Sequence, residues 1–504
     1  MRRYFFWSIG AALLFILFFF GLNLFDSEPA GAGRDLMNGA GSRPLPGNLE
    51  PGNGFFLIWG FAEPPETDPL SPAYIGQVRE LIGNRLRHDP NRPSYGQWLA
   101  RLNAGSARRW QGANFLFPQL QGEDVADHFA ARRVQVMEQR RRFAVLLRRY
   151  SQVLGAAELR DFTPLNRACP SPSLQMANNA AKLSVASQIL AALDGDWPAA
   201  GTELVRAVDA GFRLIASGRT LPVNALGKSM VELSLRALAS LLNRPECSAR
   251  FARLVLEGLP DRPTGRFGTA AVRSFQRQSF EEVVSRIKRE NVVDPYLLKD
   301  FFREPAYFFA LERLVAMSGP RVFAFSHALA SFFLKEKETV GMMRAFWERI
   351  GRLEETPPWK WSATDAPHSR GAPGLGLGSP VWWLRNPLGK MLLNSAVPFN
   401  WPIVRHYAYR SHELKARYDL TRLLAQARLA AGAGTMLAQD MLGRLLAAPG
   451  GRDPFSGSPY RFSPTQGALY SIGADAVDDG GRERPEVWRD SDIAIPIRFV
   501  KSEK

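Results

Sequence analysis

Between residues 72 and 450 the apolar positions recur mostly three, four and seven apart, the period of an amphipathic helix. Over residues 123–154 the apolar set is Val125, Phe129, Val134, Val136, Phe143, Leu146 and Leu147. Arg132, Arg133, Arg140, Arg141, Arg142, Arg148 and Arg149 are interleaved with it. The expectation is one packed face and one strongly basic face. Residues 173–243 divide into three comparable units at Gly195-Asp196-Trp197-Pro198 and at Gly218-Arg219-Thr220-Leu221-Pro222. Pro198 and Pro222 suit first-turn positions, and Asp196 and Thr220 suit N-caps, so antiparallel helices joined by short turns are predicted. Further helical patterns cover residues 274–291, 295–318, 321–353, 384–395 and 409–448. The apolar run 322–334 is too short for a bilayer and carries His327, which predicts a buried helix.

Residues 5–25 break this pattern with an uncharged apolar run after Met1-Arg2-Arg3. A continuous helix of that length matches a hydrocarbon thickness of roughly 30 Å. The expectation is one transmembrane helix in a bacterial inner membrane, with Arg2 and Arg3 on the cytoplasmic side and the bulk in the periplasm. A cleaved signal peptide is the competing reading, and it places the bulk in the same compartment. On this reading residues 1–4 are the cytoplasmic end, 26–53 a Gly/Pro-rich flexible tether, 54–450 a helical periplasmic body and 451–504 a small β tail.

A second break runs from Thr356-Pro357-Pro358-Trp359-Lys360-Trp361 through a Gly/Pro stretch to Trp382-Trp383. It reads either as a binding loop built on Trp359, Trp361, Trp382 and Trp383 or as a crossover with packed tryptophans. Its glycines lack the Gly-Lys-Ser/Thr and the leading strand of a phosphate loop.

The formal net charge is +16. For a body outside the cytoplasm this points to anionic lipid or glycan as partner, with no nucleic acid, and the arginines also read as plain solvated helix faces. Catalytic signatures are sparse. The six histidines lack His-Glu-x-x-His spacing, and Ser285-Arg286-Ile287-Lys288 lacks its companion motifs. The patch from His406 to Glu413 gathers groups able to move protons, but it also suits the polar opening of a helix running to Ala431. The two cysteines, Cys169 and Cys247, read as one disulfide or as two separate thiols.

After Gly450-Gly451 the period changes to short extended pieces between turns, around residues 453–462, 468–475 and 490–497, which predicts a small antiparallel sheet. The order Asp453-Pro454-Phe455, Gly457, Pro459-Tyr460, then Tyr470-Ser471, Gly473, Asp475 and finally Asp492-Ile493 resembles the C-terminal end of the major pseudopilins of type II secretion. That resemblance implies a calcium-binding loop with Asp475, Asp490 and Asp492 as ligands. Arg482, Arg484 and Arg489 nearby offer ion pairs as the alternative, and plain solvation is a third. The phrase from Ala191 to Ala200 looks like the turn between paired helices of a tetratricopeptide-like array, which supports stacked helical hairpins, not that named repeat. The entry Asn53-Gly54-Phe55-Phe56 and the helices at Gly195-Asp196-Trp197 are similar to an uncharacterised family of proteobacterial single-pass envelope proteins.

The expected fold class is therefore mainly α, with one transmembrane helix, stacked helical hairpins and a small antiparallel β module at the C-terminus. The expected role is a periplasmic scaffold or binding domain with a protein partner in the envelope. An envelope enzyme acting on glycan or lipid and a secretion-system accessory component are the alternatives.

Overall fold

Asp196 accepts a hydrogen bond from Ala199 N at 3.3 Å and Thr220 from Val223 N at 3.5 Å, with Pro198 and Pro222 in the first turns that follow. Each side chain satisfies a backbone donor that the first helical turn leaves open. The predicted turns are thus real helix boundaries in the computed structural model, which describes residues 50–86, 124–163, 172, 174–259, 267–290, 334–361, 386–432, 438–447, 452–482 and 492–498.

The described chain begins with α1 (Phe55–Trp59) and α2 (Pro72–Leu86), followed by α3 (Val125–Ala131), α4 (Arg133–Arg142) and α5 (Ala144–Gly155). Three long antiparallel helices come next, α6 (Leu174–Leu193), α7 (Trp197–Ser217) and α8 (Leu221–Leu242), and each packs against the other two. Then follow α9 (Ala249–Gly258), α10 (Ala270–Glu290), α11 (Glu336–Glu355), α12 (Pro387–Ala431) and α13 (Gln439–Ala447). The strands β1 (Arg461–Ser463), β2 (Ala468–Ser471) and β3 (Ile493–Pro496) form one antiparallel sheet in the order β1-β2-β3, with Arg461 opposite Tyr470 and Leu469 opposite Ile495.

The expected fold class is corrected at its membrane element. The described residues are mainly helical with this small sheet, and among them no helix is long and apolar enough to cross a membrane. Residues 5–25, on which that expectation rests, lie outside the described residues, as do 295–318 and 321–333.

Two further expectations change. Val134 was assigned to the packed face, yet it is 83% exposed. The backbone departs from helix at Arg132 (φ −107°, ψ 22°) and at Phe143 (φ −109°, ψ 28°), yet the buried positions keep a seven-residue spacing from Phe129 to Tyr150, and Val134 falls between them on the outer side. The inward set is Phe129, Val136, Phe143, Leu146, Tyr150 and Val153. Arg149, assigned to the basic face, is buried. Its guanidinium donates to the carbonyls of Gly60, Glu63, Pro64 and Thr67 at 2.5–2.9 Å, so its charge is solvated by the loop after α1. The patterns at 384–395 and 409–448 are likewise not two helices. They join into α12 across Pro398 and Pro402, and that helix ends at Gly432, whose φ of 77° stops it.

The sheet shares the helical core. Phe455, Tyr460, Leu469, Ile472, Ile493 and Ile495 are buried in the same apolar cluster as Leu235 and Leu238 of α8 and Tyr418 and Leu424 of α12. Asn243, just beyond α8, donates to Pro496 O at 2.7 Å and accepts from Arg498 N at 3.0 Å.

Candidate functional site

Lys228, Glu232 and Arg236 fall four residues apart on α8, a polar stripe in an otherwise apolar helix. Such a stripe needs polar partners wherever it is buried. On α12 they are the backbone and side chains around Tyr407, Arg410 and Ser411. Lys228 Nζ donates to Ser411 Oγ at 2.8 Å and to Tyr407 O at 3.1 Å, and it lies 5.4 Å from the Tyr407 ring centroid. Ser411 Oγ in turn donates to Tyr407 O at 2.9 Å. Arg410 pairs with Glu413 at 2.7 Å and with Glu232 at 3.6 Å. Burial pulls the Lys228 ammonium down to about 8, the charges of Glu354 and Glu413 resist this, and Arg410 adds to it.

The tryptophan-rich segment and the histidine patch, separate in the sequence, meet here. Trp361 donates from Nε1 to Thr356 O at 2.7 Å and sets its ring 4.6 Å from Tyr409 and 5.8 Å from His412. His412 is buried, and its Nε2 lies 3.0 Å from Leu353 O, the geometry of a neutral ring donating to a carbonyl. Burial holds its pKa down at about 4, with Lys415 and Lys228 adding to the effect and the Leu353 carbonyl opposing it. On its other side the His412 ring is 6.5 Å from Phe455 of the tail. Trp359 is half exposed, with Lys360 Nζ 4.8 Å from its ring centroid, and it rests on Gly457. A Cβ at Gly457 would meet Trp359 Cε2 at 2.7 Å, and its φ of +70° also favours glycine. Trp382 and Trp383 lie outside the described residues.

In the tail, Asp453, named in the sequence only as part of the Asp453-Pro454-Phe455 motif, is a buried organiser. Its carboxylate accepts from Phe455 N, Ser456 Oγ, Ser471 Oγ and Ile472 N at 2.6–3.3 Å, tying the turn to the end of β2. Asp492 is 1% exposed, and its Oδ2 accepts from Gly481 N at 2.7 Å. Among the described residues its Oδ1 has no hydrogen-bond partner. Burial raises its pKa to about 6, the amides of Gly481 and Asp479 oppose this, and the charges of Asp478 and Asp479 add to it.

Asp478 is held by Arg461, by Tyr470 OH at 3.1 Å and by Gly480 N at 2.9 Å. Asp475 caps its own turn by accepting from Val477 N at 3.1 Å. Asp490 lies outside the described residues. Calcium takes six to eight oxygen ligands, and among the described residues no three His, Cys, Asp or Glu side chains gather around one point. The described donors do not by themselves form a calcium cage. The arginine that neutralises a tail carboxylate here is Arg461, from the neighbouring strand β1.

Cys247 is buried at the end of the turn after α8, its Sγ 3.8 Å from Ser248 O, and burial pushes its thiol up. Cys169 lies outside the described residues. Ser285 donates to Glu336 at 2.5 Å.

A signal for Lys228 was present in the four-residue polar stripe of α8. Nothing local pairs it with Ser411, 183 residues away. No family model, no curated protein and no solved structure matches this chain.

Proposed function

We propose that the chain is a helical binding scaffold that acts by holding a partner and carries out no chemistry of its own. One observation carries this reading. The groups best suited to catalysis are turned inward and used up by the protein itself, Lys228 on Ser411 and Tyr407, Ser411 on Tyr407, and His412 on Leu353. A nucleophile needs a reachable oxygen and free donors for a developing oxyanion. Ser411 sits inside α12 and is buried, with backbone amides around it engaged in the helix. The stacked helices α6 to α9 and α12 instead supply a stiff frame and extended faces, the arrangement that helical scaffolds use to bind proteins.

A second reading, hydrolysis by a serine with a lysine base, is favoured by one distance, the 2.8 Å between Lys228 Nζ and Ser411 Oγ. The two readings separate cleanly. Purified full-length protein is treated with a fluorophosphonate probe, and the modified residue is mapped by mass spectrometry. The scaffold reading expects Ser411 to stay unmodified. Labelling of Ser411 that disappears in Lys228→Met would overturn it in favour of the enzyme.

A further inference from the structure

The outward face of α4 and α5 is unlike the rest of the body. These helices turn Val136, Phe143, Leu146, Tyr150 and Val153 toward the core, against α6 and α7. On the opposite side, Val134, Met137, Arg141, Ala144 and Arg148 are exposed, spaced three, four, three and four residues apart, which places them in one line. Val134 is 83% exposed and Met137 36%. Arg140 and Arg142 flank the line, the latter with its guanidinium 5.2 Å from the Phe143 ring centroid. Glu138 is the only carboxylate in either helix.

Pairing separates this face from its edge. Arg133 is bound to Asp194 at 2.8 Å, and Arg132 lies 2.7 Å from His128 Nδ1. Among the described residues Arg140, Arg141 and Arg148 have no carboxylate partner. Unpaired cations therefore accumulate on the line that also carries the exposed apolar side chains.

We propose that this face docks on the surface of an anionic lipid bilayer. Charge complementarity selects an anionic partner, and a second copy of the chain would oppose arginine with arginine. A nucleic acid would satisfy the arginines and leave Val134 and Met137 in water. A bilayer surface takes both, with guanidinium groups at the phosphates and the two apolar side chains at the headgroup boundary. The proposal stands independently of the scaffold reading, because a body that holds no protein partner would still sit on such a surface.

The test is co-sedimentation of the full chain with vesicles of phosphatidylcholine alone and with vesicles half phosphatidylglycerol, at low and high salt. The quantity read is the ratio of anionic to neutral binding, which cancels any apolar attachment made elsewhere in the chain. Wild-type protein should prefer anionic vesicles and lose the preference in high salt. Each arginine near such a surface is worth about fivefold, so Arg141→Gln with Arg148→Gln should lower the ratio by roughly 25-fold. Arg141→Glu with Arg148→Glu should abolish it.

Val134→Ser with Met137→Ser should weaken anionic-vesicle binding several-fold and leave binding to a duplex oligonucleotide unchanged. All four positions are exposed, so melting temperatures should stay near wild type, and the glutamine pair remains a valid test should the glutamate pair disturb folding. An unchanged ratio in the glutamine pair would overturn the proposal. So would serine variants that bind vesicles as tightly as wild type while duplex oligonucleotide displaces the protein from them, which would assign the face to nucleic acid.

Discussion

Gly211 of α7 and Gly227 of α8 face each other so closely that each one's carbonyl oxygen occupies the space of the other's missing side chain. A Cβ on Gly211 would lie 2.8 Å from Gly227 O, and one on Gly227 would lie 2.7 Å from Gly211 O. Both obstacles are backbone atoms, so the helices must move apart to admit a methyl group. Overpacking costs about 1–3 kcal/mol, while alanine gains about 1 kcal/mol of helix propensity. Gly211→Ala should therefore lower stability by about 1–2 kcal/mol in denaturant titration. Gly76 in α2, whose Cβ would meet nothing within 4 Å, should become about 0.5–1 kcal/mol more stable as alanine.

His412 and Asp492 should mask each other in acid. His412 titrates at about 4 in the fold against 6.5 when free, so its contribution is present above pH 6.5 and is lost as pH falls through 4. Asp492 titrates at about 6 against 3.8, so its contribution is present below pH 3.8 and is lost as pH rises through 6. Each is worth on the order of 3 kcal/mol, with opposite sign over nearly the same window. Wild-type stability should be flat between pH 4 and 6 as far as these two groups decide it. Asp492→Asn should make stability fall on acidification, and His412→Gln should make it rise. Parallel curves for all three proteins would refute the assignment.

Lys228 carries a related signature at alkaline pH. Its folded pKa of about 8 lies below the free value of 10.5, so folding favours its neutral form relative to the unfolded chain, although the ammonium still predominates at pH 7. Stability should increase from pH 8 to 10.5 and, as far as this group decides it, be flat below pH 8. Lys228→Met removes a buried ammonium, keeps the volume and leaves Ser411 its own bond to Tyr407 O. The variant should be about as stable as wild type at pH 7, or about 1 kcal/mol more so, and should lose the alkaline rise.

Two tail aspartates should behave differently. Asp453→Ala strips four donors of their acceptor inside the core and should cost about 3 kcal/mol. Asp475→Ala removes a cap on an exposed turn and should cost about 1 kcal/mol at most. Thermal melts of the two variants in chelator compare them on structural grounds alone.

Features legible in the sequence were those written locally. Asp196, Pro198, Thr220 and Pro222 announce helix starts because a cap acts within three residues. The three strands were legible because turn residues bound them and alternation fixes which side faces in. Val134 was misread because all the interleaved apolar residues were counted as one face, whereas the buried positions run at sevens through Phe129, Val136, Phe143 and Tyr150 and leave Val134 outside. Trp361 and His412 each stood out alone, but their contact depends on how α11 and α12 cross, a tertiary fact. The Lys228 and Ser411 pair and the fourfold grip of Asp453 were invisible for the same reason. Their partners are chosen by packing between distant segments, and hydrophobic periodicity carries no address for a partner.

The bonds between Asn243 and residues 496 and 498 impose an order on biosynthesis. The helices α6 to α8 are complete when Asn243 is made, yet its side chain waits for a strand about 250 residues later. Until then α8 lacks β3 and α12 lacks β2 and β3, the strands that pack against them in the finished core. A nascent or truncated chain that stops short of β3 thus carries an open flank, and closure comes only once residues 493–498 have been made. Truncation before Ile493 should therefore act on the whole body, sending it toward aggregation and degradation.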